Sequence, residues 1–221
     1  MLSEMKETGG DERCVAEAGP RGMLVVVSSP SGGGKGTLIR RVLKSVPNLG
    51  YSVSFTTRPQ REGETDGRDY HFISVAEFEA MIAAGEFLEW AHVHGKLYGT
   101  GRAQVGRELA EGRDIILEID VQGAASVRAL LADAVSVFIL PPSFEVLRER
   151  LIARGSESTD ELALRLRNAR GEVEHYREFD YVLINDDAER AAAQLASIIY
   201  AERARRERQE QASKIVLASF P

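Results

Sequence analysis

The sequence predicts an α/β fold built on a doubly wound parallel sheet with a small mixed α+β insert, and three observations carry that expectation. Short apolar, β-branched runs at 23–27, 115–120, 135–140 and 181–184 have the composition of strands buried on both faces. Stretches with the apolar spacing of helices alternate with them, as strand–helix units of a parallel sheet do. Between the first run and the first helix lies Ser29-Pro30-Ser31-Gly32-Gly33-Gly34-Lys35-Gly36-Thr37. Strand, glycine loop, lysine, helix is the order that a phosphate-binding P-loop requires, so the sheet is expected to be of the P-loop type.

The chemistry of that loop follows from its residues. Glycines let successive backbone N–H groups turn inward on a concave anion site, because no Cβ blocks the approach. The following helix adds the positive end of its dipole, and Lys35 a point charge for the β- and γ-phosphates. Two positions depart from G-x-x-x-x-G-K-[ST]: Ser29 stands at the first glycine and Gly36 at the hydroxyl. Thr37, one place on, is then the hydroxyl expected in a magnesium shell. The competing reading is a glycine-rich turn without a ligand, and the flanking strand and helix weigh against it.

Composition narrows the function classes. A chain of 221 residues suits one compact domain with a sizeable core. Its net charge of −6 argues against a general nucleic-acid surface, so arginines are read as local phosphate ligands. Cys14 is the single cysteine; no intrachain disulfide can form, which suits a reducing compartment. No apolar run has the length of a membrane span, and the first twenty residues lack a signal-peptide core. A cytoplasmic protein, monomeric or a small homo-oligomer, without nucleic-acid or membrane partners is the expectation.

In chain order, residues 1–22 are polar and aperiodic and are expected to be a mobile extension. Leu38, Ile39, Val42, Leu43 and Val46 form one helical face, with Arg40, Arg41 and Lys44 opposite. Pro47-Asn48-Leu49-Gly50 breaks the pattern. Residues 52–57 read as a strand, 58–64 as a loop and 70–73 as a second short strand. Ser74 with Glu77 three places on signals a helix start, and Gly85 its end. Residues 87–93 alternate as a strand, and 95–99 close a hairpin, so 51–100 form the insert.

The parallel core then resumes. A helix is expected over 102–111, followed by a buried strand at 115–120 that ends in Asp120, an acid at the strand's C-terminal edge. A third strand at 135–140 is stopped by Pro141-Pro142. Helices over 144–154 and 160–177 flank Gly155-Ser156-Glu157-Ser158. A fourth strand at 181–184 precedes a long helix from Asp187. The domain is expected to span 23–205, with 206–221 as a tail. The four histidines show no metal spacing.

Read together, the motifs resemble the guanylate kinase family over roughly 23–201. The residues that carry the resemblance are the glycine loop, Ser54-Phe55-Thr56-Thr57-Arg58-Pro59, Gly63-Glu64 and Gly67-Arg68-Asp69-Tyr70. Phe87-Leu88-Glu89-Trp90-Ala91, Tyr98-Gly99-Thr100 and Glu118-Ile119-Asp120-Val121-Gln122-Gly123 follow in the family's order. Pro141-Pro142-Ser143 and Ile184-Asn185-Asp186-Asp187 complete it. Lysine-glycine-threonine is similar to the variant loop of small nucleotide kinases. Each motif is weak alone; their joint occurrence is specific.

The resemblance implies ATP-dependent phosphorylation of GMP to GDP with Mg²⁺, with 51–100 as a GMP-binding subdomain and 144–177 as a lid. It assigns Glu89, with Ser54 and Thr100, to the guanine edge, and Arg58, Arg61, Tyr70 and Tyr98 to the GMP phosphate. Asp120 is expected near the metal or the acceptor nucleotide, and Glu118 holds the family's preceding acidic position. The glycine loop and Asn185 are implied for ATP, Asn185 beside the adenine. Arg150, Arg154 and Arg165 match lid arginines that reach the transferring phosphates; Arg148 and Arg167 read as a solvated helix face. Two rivals stand beside this reading: a related sugar-phosphate kinase, and a non-catalytic guanylate-kinase-like module that binds phosphopeptides. The base-reading set argues against the first and the intact Lys35 loop against the second.

Overall fold

The computed structural model describes residues 21–93, 95–154 and 159–221, the side chains of 154 and 159–161 excepted. Residues 1–20 of the expected N-terminal extension, Cys14 among them, His94 and residues 155–158 fall outside the described residues.

The chain begins with β1 (Leu24–Ser28), α1 (Lys35–Ser45) and β2 (Leu49–Tyr51). It then forms β3 (Phe55–Thr56), β4 (His71–Phe72), α2 (Val75–Ala83), β5 (Phe87–Val93) and β6 (Lys96–Gly101). After these come α3 (Arg102–Ala110), β7 (Asp114–Glu118), α4 (Val121–Leu130) and β8 (Val135–Leu140). The last part holds α5 (Phe144–Arg154), α6 (Thr159–Glu172), a 3₁₀ turn at Val173–Glu178, β9 (Tyr181–Ile184), α7 (Ala188–Arg203) and α8 (Arg206–Leu217).

Five strands form a parallel sheet in the order β2-β7-β1-β8-β9. All five residues of central β1 are buried, and their alternation feeds two cores. Val25 and Val27 join Leu38, Ile39 and Val42 of α1 and Leu195 and Ile199 of α7. Leu24 and Val26 join Val105 and Leu109 of α3, Leu117, and Ala124 and Val127 of α4. Helices on both faces leave the strands' C-terminal edge as the open side, where the glycine loop emerges. At the opposite edge Asp114 accepts Met23 N–H (2.7 Å) on one oxygen and the Arg203 Nε–H (2.6 Å) on the other. Arg203 also donates to the Pro47 carbonyl (2.8 Å), tying the end of α7 to the turn before β2.

The insert is a four-stranded sheet in the order β4-β3-β6-β5, covered by α2. Its own core is Phe78, Phe87 and Leu97, with the Phe78 and Phe87 rings stacked at 4.4 Å. The Ser74–Glu77 capping box forms in both directions, at 3.2 and 2.8 Å. Gly85 at φ 68° ends α2, with Gly85 N–H donating to Ile82 and Glu86 N–H to Met81.

Three expectations are corrected. Residues 49–51 are the edge strand of the main sheet, and the strand expected at 52–57 contracts to Phe55–Thr56 in the insert sheet. Asn48 supplies a left-handed turn (φ 57°) that returns the chain to the sheet, and Ser52 N–H still donates to Ile116 before the chain leaves it. The helix expected over 160–177 stops at Glu172 and tightens into the 3₁₀ turn. The strand before Asp120 ends at Glu118; Asp120 is the N-cap of α4, its carboxylate accepting Gly123 N–H at 2.9 Å. The expected tail is largely helical, as α8.

Candidate active site

A cleft of about 910 Å³ opens where the glycine loop, the C-terminal ends of β1 and β7, the insert, α5 and α6 converge. Gly32 (φ 85°) and Gly34 (φ 92°) are left-handed, which is what turns the loop into a cradle. A Cβ on Gly33 would lie 2.7 Å from Ser29 Oγ, so the serine at the motif's first position fits against a glycine. Lys35 opens α1, its Nζ donating to the Ser29 carbonyl (3.3 Å) and hydroxyl (3.2 Å). The first turn of α1 carries no acidic residue and its N-cap makes no side-chain bond, so its N–H groups and dipole are presented to the cleft. Pro30, Ser31, Gly36 and exposed Thr37 complete this wall.

Asn185 follows β9 and is buried against the loop, Nδ2 donating to the Gly33 carbonyl at 2.9 Å. Arg150 of α5 donates to the Asn185 carbonyl at 2.8 Å. Asn185 Oδ1 and the other terminal nitrogen of Arg150 are buried without a hydrogen-bond partner, an acceptor and a cationic donor on the cleft wall that suit a polar, anionic ligand. Arg165 of α6 also lines the cleft. Arg148 and Arg167 are exposed and do not line it. The Arg154 side chain lies outside the described residues.

The insert supplies the other end. Glu89 on β5 is only 6% exposed and faces Thr100 on β6, whose hydroxyl donates to its Oε1 at 2.5 Å. Burial pushes the Glu89 carboxyl up to about 7; the Thr100 hydroxyl opposes that rise and Asp120 adds to it. Ser54, also buried, lines the cleft beside it, while Thr100 sits beneath Glu89 without reaching the lining. Arg58, Arg61, Tyr70 and Tyr98 line the adjoining wall. The Arg58 guanidinium forks onto Glu64 (2.9 and 2.7 Å) and lies 5.2 Å from the Tyr70 ring centre. Tyr70 meets Tyr98 edge to face at 5.9 Å, and burial followed by the Glu118 carboxylate raises its hydroxyl pKa. Asp120 and Glu118 border the floor, Glu118 accepting from Tyr51 at 3.3 Å.

Three site features escape sequence reasoning. Glu64 holds both Arg58 and the Arg61 N–H (2.8 Å); burial opposes its ionisation, but the Arg58 hydrogen bonds prevail and lower its pKa. Glu172, the last residue of α6, accepts the Ser31 N–H at 2.9 Å. Leu151 of α5 presses on Gly32, where a Cβ would lie 2.9 Å from its Cγ. The Gly63-Glu64 motif was a signal for the first; no local signal marks the other two. Among the described residues no group of three or more His, Cys, Asp and Glu could hold a metal. Thr37 and Asp120 therefore fit only an ion that keeps most of its shell as water and phosphate oxygens, as magnesium does.

The guanylate kinase family model matches residues 21–202. The chain belongs to the guanylate kinase family. A guanylate kinase from Symbiobacterium thermophilum is 53% identical over 84% of this chain and 88% of its own length. One from Rhizobium meliloti is 49% identical over 85% and 86%. The crystal structure of guanylate kinase from Anaplasma phagocytophilum superposes with a TM-score of 0.72 at 36% identity, covering 84% of this chain and 88% of that one. Among the described residues no helix is long and apolar enough to cross a membrane.

Proposed function

We propose that the protein transfers the γ-phosphoryl group of ATP to GMP, and to dGMP, giving ADP and the nucleoside diphosphate. The observation that carries this is a buried carboxylate, Glu89, in the same cleft as an intact Lys35 glycine loop. Guanine presents two adjacent donors, N1–H and the 2-amino group, which one carboxylate can accept side by side. Adenine lacks that pair and would leave Glu89 buried and unsatisfied, a penalty that can reject the wrong partner by on the order of 10⁴-fold. Ser54 supports the base, with Thr100 orienting Glu89; Arg58, Arg61, Tyr70 and Tyr98 grip the phosphate.

The acceptor phosphate, with a second pKa of about 6, is already largely ionised near neutral pH, so no general base and no covalent intermediate are needed. The protein's task is to hold two anions in line and offset the charge on the transferring group. In this reading Lys35, Arg58, Arg150 and Arg165, all on the cleft lining, take that role, and Arg154 joins them on the family's pattern. Ser29, Pro30, Ser31, Gly32, Gly33, Gly34, Gly36 and Thr37 cradle the triphosphate, and Asn185 Oδ1 suits the adenine amino group. Magnesium, held through Thr37 and the Asp120 edge, would neutralise the β- and γ-phosphate oxygens. Residues 51–100 and 144–177 act as the two moving parts that exclude water from the cleft. The reaction belongs to purine nucleotide metabolism, in the cytoplasm. A coupled ADP assay over GMP, dGMP, AMP, UMP and sugar phosphates tests the reading. GMP is expected to be the best acceptor, and any other ranking refutes it.

A further inference from the structure

Gly123 closes the motif Glu118-Ile119-Asp120-Val121-Gln122-Gly123, and neither the phosphate chemistry nor the base chemistry above gives it a task. It is the third residue of α4, buried, with its N–H on the Asp120 cap. Its backbone is helical, not left-handed, so conformation alone does not call for glycine, and alanine would favour the helix. What excludes a side chain is a neighbour. A Cβ at 123 would lie 2.4 Å from Glu89 Oε2 and 3.1 Å from its carboxyl carbon, with Asp120 Oδ1 at 3.3 Å. Gly106, inside α3, would have nothing within 4 Å of a Cβ and so faces no such constraint.

Glu89 has little freedom to yield. Its backbone is fixed by the β5–β6 register opposite Thr100, its Oε1 is held at 2.5 Å by the Thr100 hydroxyl, and the side chain is enclosed. We propose that Gly123 is a specificity-determining positioning residue: its missing side chain lets the Glu89 carboxylate seat against the first turn of α4, at the depth from which it reads the guanine edge. The inference rests on the guanine-reading role of Glu89. Ordinary contact begins near 3.4 Å, so a methyl group at 123 displaces the carboxylate by about 1 Å.

The test compares wild type, Gly123→Ala, Gly106→Ala, Glu89→Asp and the double variant E89D/G123A, in turnover and in direct binding of GMP, AMP and ATP. Gly123→Ala is expected to weaken GMP by on the order of tenfold or more and to narrow the GMP-over-AMP preference, with ATP affinity unchanged. Gly106→Ala should match wild type. The shorter aspartate withdraws the carboxylate from the added methyl, so adding Gly123→Ala should cost less GMP affinity in the Glu89→Asp background than in wild type. Wild-type GMP affinity in Gly123→Ala overturns the proposal, as does equal weakening of ATP and GMP. If the single variant does not fold, a folded double variant supports the contact with Glu89 and an unfolded one overturns it. Wild-type enzyme without preference for GMP over AMP would instead refute the guanine reading itself.

Discussion

Glu89 shows at the residue scale how a binding site strains the fold that carries it. Its carboxyl titrates at about 7 because burial disfavours the charge, so between the ordinary carboxyl range and 7 the folded chain keeps a proton that the unfolded chain has lost. Stability therefore falls as pH rises through that window, by on the order of 3 kcal/mol for this group. Unliganded Glu89→Gln should melt several degrees above wild type at pH 8, and the gap should close at pH 5; calorimetric melting at both values checks it. If the Glu89 carboxylate reads guanine as proposed, GMP affinity should drop roughly tenfold from pH 8 to pH 6 beyond the titration of the GMP phosphate. Glu89→Gln, titrated in parallel by calorimetry, should show the phosphate's contribution alone. Glu89 was legible in the sequence because it sits in the motif Phe87-Leu88-Glu89-Trp90-Ala91. Glu64 and Gly123 stood in motifs without a legible task, since each acts on another protein group, and Glu172 gave no signal at all; the Ser31–Glu172 contact spans 141 residues, a distance that no spacing rule reads.

Among elements, the coupling of interest is between the glycine loop and the two helices behind it. Leu151 of α5 bears on Gly32, Arg150 on the Asn185 carbonyl, and Glu172 of α6 on the Ser31 amide. The cradle is thus braced by the segment expected to move, and its shape depends on where α6 ends. Glu172→Ala should weaken ADP and ATP binding several-fold with GMP affinity intact, whereas Glu172→Gln keeps the acceptor and should stay near wild type. Calorimetry with each nucleotide separates the two. The long periodic elements α1 and α7 and the runs of β1 and β8 were readable because burial on a regular face leaves a repeating signature. The three residues of β2 are too few to alternate and sit behind Pro47 and Asn48, which by themselves signal a turn. Asp120 misled for another reason. An acid after an apolar run is equally the end of a strand and the cap of the next helix, and only the Gly123 hydrogen bond decides.

At the scale of the whole molecule, the five-stranded sheet with α1, α3, α4 and α7 holds the two main cores, and the cleft opens at one of its edges. Helix α8 contributes no buried residue; Gln209 donates to the Arg203 carbonyl and Arg208 to that of Asp133, both at the surface. The domain that matters is therefore closed by the carboxylate of Asp114, which grips Met23 with one oxygen and Arg203 with the other. Beginning and end lie side by side, at the edge remote from the cleft. A circular permutant follows from that geometry: residues 23 and 203 joined by a short glycine–serine linker, with new termini opened at the exposed turn between Ala132 and Asp133. It should fold and phosphorylate GMP at close to the parental rate, because the order in which the ribbon is threaded leaves every wall of the cleft where it was.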